Sequence, residues 1–506
     1  MSFLRNGIAL IGISVSFAAS AVAQPPQLPV PAPVAPPAPL TLPVPIPAPP
    51  SPAPRVFPVL TEPQAVLLRR MLADAGSHGI ARGQTGEKAG GTAVPLEGPA
   101  LIQAALDYAQ AVRSGRLATA DYLRDWGLRP PVYDPWFDFT AAVAQDRLAQ
   151  WIASLPPPYT GYDGLRRGLA AYRAIEAKGG WQPVPVGPDM GIGAKGARVT
   201  ALRARLAAED PAAAASVSAT YDKALAEQVR SAQKRFGLEP NGIANKATIA
   251  ALNVPTADRV RQIMANLERW RWLPPELPTH RIQVNIAAAV LTVFEADKPV
   301  ISMRAVTGRP GDETPMLTSQ IHSIVFNPPW NVPSSIAAKE YWPKEKANPG
   351  YLAKKGFRII ENPDGTKRIQ QPSGPRSALG LMKFDFNNPY GVYLHDTPTR
   401  GTFGTYSRLE SHGCVRLEKP LNLAKLVLRD DPVWTGEAVD AALAAGKTVR
   451  AKLPEPVSVY LLYWTAFAGA NGQMSFRADP YGWDGLLARK IEARNANPAQ
   501  VMTAAK

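Results

Sequence analysis

The stretch Tyr393-Leu394-His395-Asp396-Thr397-Pro398 and, after a loop, Ser411-His412-Gly413-Cys414-Val415-Arg416-Leu417 decides how this chain is to be understood. Cys414 is the only cysteine among 506 residues, and two of the five histidines stand two and nineteen residues before it. Taken alone, a free cysteine is commonly a small buried hydrophobe, and a lone histidine is commonly structural. The grouping changes that expectation. Thiol catalysis needs a thiolate, and an ordinary thiol is mostly protonated at neutral pH. An imidazole within hydrogen-bond reach takes the proton, and the resulting ion pair lowers the thiol pKa. Acyl transfer also needs donors aimed at the developing oxyanion. Backbone N–H groups of a Gly413-Cys414 turn supply them, because glycine lets the backbone approach closely. With His395 ahead of Cys414 on adjacent strand ends, the pattern is that of an acyl-transfer site.

Outward from this stretch the chain is patterned for strands. From His280 the apolar period is 2: Ile282, Val284 and Ile286 alternate with polar or small residues, and Leu291 to Phe294 reads as a second strand. A hairpin turn near Asp297-Lys298 leads into Val300 to Val306. We expect a mostly-β domain over 279–452, then strands and a helix over 453–506. A long polar stretch punctuated by Pro and Gly, 330–376, interrupts the pattern.

Upstream the pattern is helical. Leu101, Ile102, Ala105, Leu106, Ala109 and Val112 share one face at helical spacing, Ala170 to Ala177 reads as a helix closed by Gly179-Gly180, and Ala81 to Ala100 reads as a loop. We expect a helical scaffold over 56–185 and a second helical unit with a connecting helix over 186–275. In that unit Val199, Leu202 and Leu206 form one amphipathic face, and Leu225, Val229, Ala232 and Phe236 form another, stopped by Gly237. Val260, Ile263, Met264 and Leu267 belong to the connecting helix. Residues 24–55 are almost entirely Pro, Ala, Val and Leu and predict a polyproline II spacer reaching about 90 Å. Residues 1–23 carry Arg5, an apolar run from Ile8 to Ala19 and Ala21-Val22-Ala23, the pattern of a secretory signal cleaved after Ala23. The apolar run is too short to span a membrane, and no other candidate span is present. A lone cysteine in an exported chain cannot form an internal disulfide, so it is either buried and inert or kept for reactivity.

The catalytic stretch resembles the signature of the L,D-transpeptidase (YkuD-type) catalytic domain. That signature is a histidine, some fifteen residues, then Ser/Thr-His-Gly-Cys, a hydrophobic residue and Asn or Arg. Phe326-Asn327-Pro328-Pro329-Trp330-Asn331-Val332-Pro333, Ala378-Leu379-Gly380, Lys383-Phe384, Tyr463-Trp464-Thr465-Ala466 and Asp479-Pro480-Tyr481-Gly482 extend the likeness to the large YcbB-like subgroup. Phe236-Gly237-Leu238, Gly242, Thr248 and Ala251-Leu252-Asn253 resemble the small helical peptidoglycan-binding module. That family usually has a glycine where Ala244-Asn245 stand, which leaves a binding role and a purely architectural one open.

The resemblance implies an α+β multidomain protein: a mostly-β catalytic domain with a capping insertion at 330–376, preceded by all-α scaffold and peptidoglycan-binding-like domains. It implies Cys414 as nucleophile and His395 as general base, with the Asp396 carbonyl orienting the imidazole, and His412 and Gly413 shaping the oxyanion site. Tyr393, Trp330, Arg416 and Ser411 become candidate substrate contacts. Arg416 stands where many relatives have Asn, either as a carboxylate contact or as half of a structural ion pair. No metal or organic cofactor is implied. The donor would be a peptidoglycan tetrapeptide stem, and the acceptor a stem-peptide amine, water, or the N-terminus of an outer-membrane protein.

The net charge of +15 suits an anionic partner. An exported chain rarely meets nucleic acid, so none is expected, nor a stable membrane span once the signal is removed. A non-catalytic wall-binding scaffold would suit the helical module and the charge, but has no need of both His395 and Cys414. Papain-like and NlpC/P60-type sites place Cys before the catalytic His, and no plausible His follows Cys414.

Overall fold

The computed structural model describes residues 55–80, 96–210 and 218–496. The expected signal segment, nearly all of the spacer and most of the loop expected from Ala81 lie outside these residues. Among the described residues no helix is long and apolar enough to cross a membrane.

Five helices come first: α1 (Glu62–Ala73), α2 (Gly98–Ser114), α3 (Pro135–Ala144), α4 (Leu148–Ser154) and α5 (Thr160–Ala177). The six α2 residues predicted to share a face are all buried. Pro99, in the first turn of α2, gives up only an N–H that has no helical partner there, so that helix begins earlier than the loop expected through Ala100. α5 starts ten residues before the predicted Ala170, its inward stripe being Tyr162, Leu165, Leu169 and Tyr172. It ends where expected, with the Gly180 N–H on the Ile175 carbonyl.

α6 (Ala197–Ala207), α7 (Lys223–Arg235) and α8 (Lys246–Leu252) form the second helical unit. The Asp222 and Asn245 side chains cap the N-termini of α7 and α8 by accepting from the Leu225 and Thr248 N–H groups. α9 (Thr256–Trp270) is the connecting helix, and its buried face packs against α5.

The strands are β1 (His280–Asn285), β2 (Val290–Glu295), β3 (Lys298–Gly308) and β4 (Leu317–Phe326), followed by the stretch over 330–376. That stretch holds β5 (Trp330–Asn331), α10 (Ser334–Ile336), a π-helical turn (Ala337–Tyr341), α11 (Trp342–Ala347), α12 (Tyr351–Lys354), β6 (Arg358–Glu361) and β7 (Lys367–Gln371). It makes a three-stranded sheet, β5-β7-β6, over its own small core of Val332, Ala337, Leu352 and Ile369. The chain then adds β8 (Met382–Phe386), β9 (Leu394–His395), β10 (Leu409–Ser411), β11 (Val415–Leu417), α13 (Pro420–Val427), α14 (Gly436–Ala444), β12 (Val449–Leu462), β13 (Ala466–Ala468), β14 (Met474–Phe476) and α15 (Trp483–Ala496).

The main sheet runs β10-β3-β11-β9-β8-β4-β12-β1-β2, and β2 pairs back onto β3, closing a ring. Closure removes the exposed edges that an open antiparallel sheet presents. β12 lies between β4 and β1, antiparallel to the first and parallel to the second. It therefore crosses the boundary expected at 452/453, which is corrected here: the strand belongs to the same sheet as the catalytic segment. Pro454 and Pro456, which cannot donate to a ladder, fall in the register shift between Lys452 and Val457. α5 to α9 and the sheet share one continuous core, with Leu169, Ile263, Trp272, Ile282 and Leu461 in the same cluster, whereas α1 to α4 pack around a second core that includes Leu68, Leu106, Val112 and Phe139.

Candidate active site

Strand register builds the site. β9 runs parallel to β11 with Leu394 opposite Val415 and His395 opposite Arg416, and β8 adds Lys383 opposite His395. Side chains alternate across a sheet, so Phe384, Leu394, Val415 and Leu417 enter the core, where all are buried. Lys383, Tyr393, His395, Cys414 and Arg416 therefore share the other face. Cys414 stands beside Tyr393 and diagonal to His395.

The nucleophile turn is held from within. Gly413 has φ +102°, and a Cβ there would lie 3.1 Å from the Glu313 carbonyl oxygen. The Ser411 hydroxyl accepts from the Gly413 N–H at 3.2 Å and donates to the Cys414 carbonyl at 2.5 Å. Thr314 Oγ1 donates to the Gly413 carbonyl and accepts from the Gly308 N–H, both at 2.8 Å. The Cys414 N–H has no hydrogen-bond partner among the described residues and is free to meet an oxyanion.

His395 is almost fully buried, and its Nδ1 lies 2.5 Å from the Asp396 carbonyl oxygen. The Asp396 carboxylate in turn accepts from the Leu381 N–H at 2.9 Å and from Arg400 at 3.2 Å. A Cβ on Gly380 would overlap that carboxylate at 2.4 Å, so the glycine is what allows this packing. Burial, then the positive charge of Arg416, lowers the His395 pKa to about 3, against the pull of the Asp396 carbonyl. Burial raises the Cys414 thiol above its ordinary value, against hydrogen bonds from Tyr393 and the charges of Lys383 and Arg416. The resting pair is thus a neutral thiol and a neutral imidazole, with no hydrogen bond between them in this structure. The ion pair expected from sequence is disfavoured in the resting site, because burial desolvates both groups.

Residues 279–435 match the family described as the L,D-transpeptidase catalytic domain, which contains every group just named. The chain carries an L,D-transpeptidase catalytic domain. Residues 195–252 match a family described as "Putative peptidoglycan binding domain", and 100–169 a "Scaffold domain". A curated Haemophilus influenzae protein named "Putative L,D-transpeptidase" is 31% identical over 250 residues. The alignment covers 46% of this chain and 50% of that protein, so the chain spans about half the length of the curated relative it matches. Among solved structures, an L,D-transpeptidase from Mycobacterium smegmatis aligns at 15% identity and TM-score 0.19, over 36% of this chain and 58% of that one. The catalytic domain of the E. faecium L,D-transpeptidase acylated by ertapenem aligns at 12% identity and TM-score 0.19, over 37% and 99%.

The transpeptidase domain places the other expected site residues variously. Ser411, expected to touch substrate, is buried, and its hydroxyl is consumed inside the nucleophile turn. Tyr393 stands beside Cys414 by strand register, whereas Trp330 packs against the insertion's own core. Burial, followed by the neighbouring thiol, pushes the Tyr393 phenol well above its ordinary range, so it stays protonated. Arg416 makes no ion pair or side-chain hydrogen bond among the described residues, so the structural ion pair considered for it is not formed. Burial lowers its pKa, with Glu410 only partly offsetting this.

The His412 ring is engaged from outside the nucleophile turn. Its Nε2 lies 2.7 Å from Glu340 Oε1, in the π-helical turn of the insertion, and 2.9 Å from Arg309 Nη2. Arg309 also pairs with Asp312 at 2.7 Å. Glu340 is held below the ordinary carboxylate range, chiefly by its His412 hydrogen bond. Sequence reasoning missed Glu340, Arg309 and Thr314, which are distant in sequence from Cys414 and belong to no motif. Lys383 was quoted only as part of a likeness. Its Nζ lies 4.3 Å from the Tyr393 ring centroid and 2.7 Å from Asp385.

Proposed function

We propose that this chain is an exported L,D-transpeptidase that forms 3→3 cross-links between peptidoglycan stems through a Cys414 thioester. The observation that carries this is a partly exposed thiol on one sheet face with a buried imidazole and an unpartnered guanidinium, inside a domain of this family. Cys414 Sγ attacks the carbonyl of the third stem residue, the L-centre of meso-diaminopimelate, and His395 takes the thiol proton. The Cys414 N–H donates to the oxyanion, the bond to the terminal D-Ala breaks, and that proton leaves on the D-Ala amine. A side-chain amine of a neighbouring stem then attacks the thioester, the C–S bond breaks, and the proton from the amine returns through His395 to the thiol. Bound substrate displaces water, so attack proceeds from the neutral pair as a concerted transfer. Arg416 is assigned to a donor carboxylate, since a largely buried guanidinium without a partner is costly until an anion arrives. The signal-like residues 1–23 and the peptidoglycan-binding match support action in the periplasm.

The test is mass spectrometry of the purified protein with disaccharide-tetrapeptide, beside Cys414→Ala. Dimers lacking one D-Ala, absent with the variant, are expected. D-Ala loss without dimers would instead make it an L,D-carboxypeptidase, or a protein-to-wall ligase lacking its outer-membrane acceptor. Unchanged activity in Cys414→Ala would end the proposal.

A further inference from the structure

The stretch 330–376 is unusual in its charge. It carries nine Lys and Arg against four Asp and Glu, a net of +5 in 47 residues, out of +15 for all 506. All nine cations are exposed, and among the described residues none lies within ion-pair distance of a carboxylate. Three of the four acids are spent internally. Glu340 holds His412, Glu345 accepts from the Gly350 and Leu352 N–H groups, and Asp364 accepts from Thr366. Glu361 faces Lys367 across the β6–β7 hairpin. The densest cationic run, Lys354, Lys355 and Arg358, therefore meets solvent uncompensated.

That run packs on the part of the stretch that touches the nucleophile loop. Phe357, inside it, packs 6.2 Å from the Trp330 ring and 4.9 Å from Tyr341. Tyr341 follows Glu340, whose carboxylate lies 2.7 Å from His412, two residues before Cys414. A polymer held on the cationic run would present its branches beside the thiol.

We propose that this surface, centred on Lys354, Lys355 and Arg358, is a landing site for a peptidoglycan strand, engaged through the carboxylates of its stem peptides. The proposal deepens the transpeptidase reading and rests on it. A lipid surface fits poorly: the helices of the stretch have three to six residues, too short for an amphipathic membrane helix, and Ile359 is its one exposed large hydrophobic side chain. Nucleic acid fits poorly too, because the rings of Trp330, Tyr341 and Phe357 pack on the stretch's own core instead of lying open for stacking.

The test is co-sedimentation of the full chain with purified sacculi across a salt series, in a Cys414→Ala background so that binding is read without turnover. Lys354→Gln/Lys355→Gln/Arg358→Gln should weaken low-salt binding roughly ten-fold, with the gap closing as salt screens the charges. Lys339→Gln/Lys344→Gln/Lys346→Gln, on a separate part of the stretch, should weaken it further when combined. Unfolding temperatures of all variants are compared, so that loss of fold is not mistaken for loss of contact. Unaltered sacculus binding in the combined variant would overturn the proposal. So would binding to phosphatidylglycerol vesicles that falls with these substitutions while sacculus binding does not. The transpeptidase reading fails separately, if the parent protein releases no D-Ala from tetrapeptide.

Discussion

His395 and Cys414 are displaced by burial in opposite directions, and both shifts have readable consequences. In the free protein the imidazole ionises at about 3 and the thiol above its ordinary value. We therefore expect kcat/KM for D-Ala release to be level from about pH 5 to 8, without the step near 6.5 that an ordinary histidine imposes. A step at that pH would contradict the buried neutral imidazole. Iodoacetamide should likewise label Cys414 slowly at pH 7 and faster above 9, so slow labelling does not by itself mark an inert thiol. His395 also bears on stability. Its folded pKa lies below its unfolded value, so the unfolded chain takes up a proton that the folded ring refuses as pH falls below about 6.5. This should cost about 2 kcal/mol at pH 5 relative to pH 7.5, read by denaturant titration, with the loss reduced in His395→Gln. At Arg416 the prediction is kinetic. Arg416→Gln should lower kcat/KM for tetrapeptide by roughly 10²-fold, as expected when a buried charged contact is lost. A wild-type value would remove Arg416 from the substrate site.

At the scale of elements, the insertion reaches the catalytic loop through Glu340 on His412. Glu340 sits in a π-helical turn, a rare conformation frequently found at functional sites. His412 is two residues from Cys414, so freeing its ring loosens the loop that presents the nucleophile. Glu340→Gln keeps a hydrogen-bond acceptor and should lower kcat by a few-fold, whereas Glu340→Ala should lower it roughly ten-fold with little change in Tm. Equal kcat in both variants and the parent would show that the contact is incidental.

Across the whole molecule, the segment after α2 is joined to the connecting helix α9 by buried charge. Glu268 in α9 is completely buried, with Arg116 at 3.2 Å and Arg271 at 2.7 Å, and it accepts from the Arg116 backbone N–H. Burial pushes its pKa up, but the two guanidinium groups hold it below the ordinary carboxylate range. Glu268→Ala leaves two buried cations unpaired and should cost roughly 3–5 kcal/mol, seen as a lower denaturation midpoint. Glu268→Gln should fall between. Unfolding of α5 to α9 and the sheet should remain a single transition, because they share one core.

What the sequence determined by itself was local. The 3.6 and 2 periods placed the helices and the first strands, because each buried face writes its period into the chain. The His395, Gly413 and Cys414 grouping was legible because it occupies one short motif. The tertiary structure decided what depends on distant segments meeting. β12 joined the sheet across a presumed boundary because it fills the gap between β4 and β1. Ser411 was spent on its own turn and His412 was drawn to Glu340, 72 residues away. The protonation state of the catalytic pair was also decided there, since it follows from how deeply the packed fold desolvates each group.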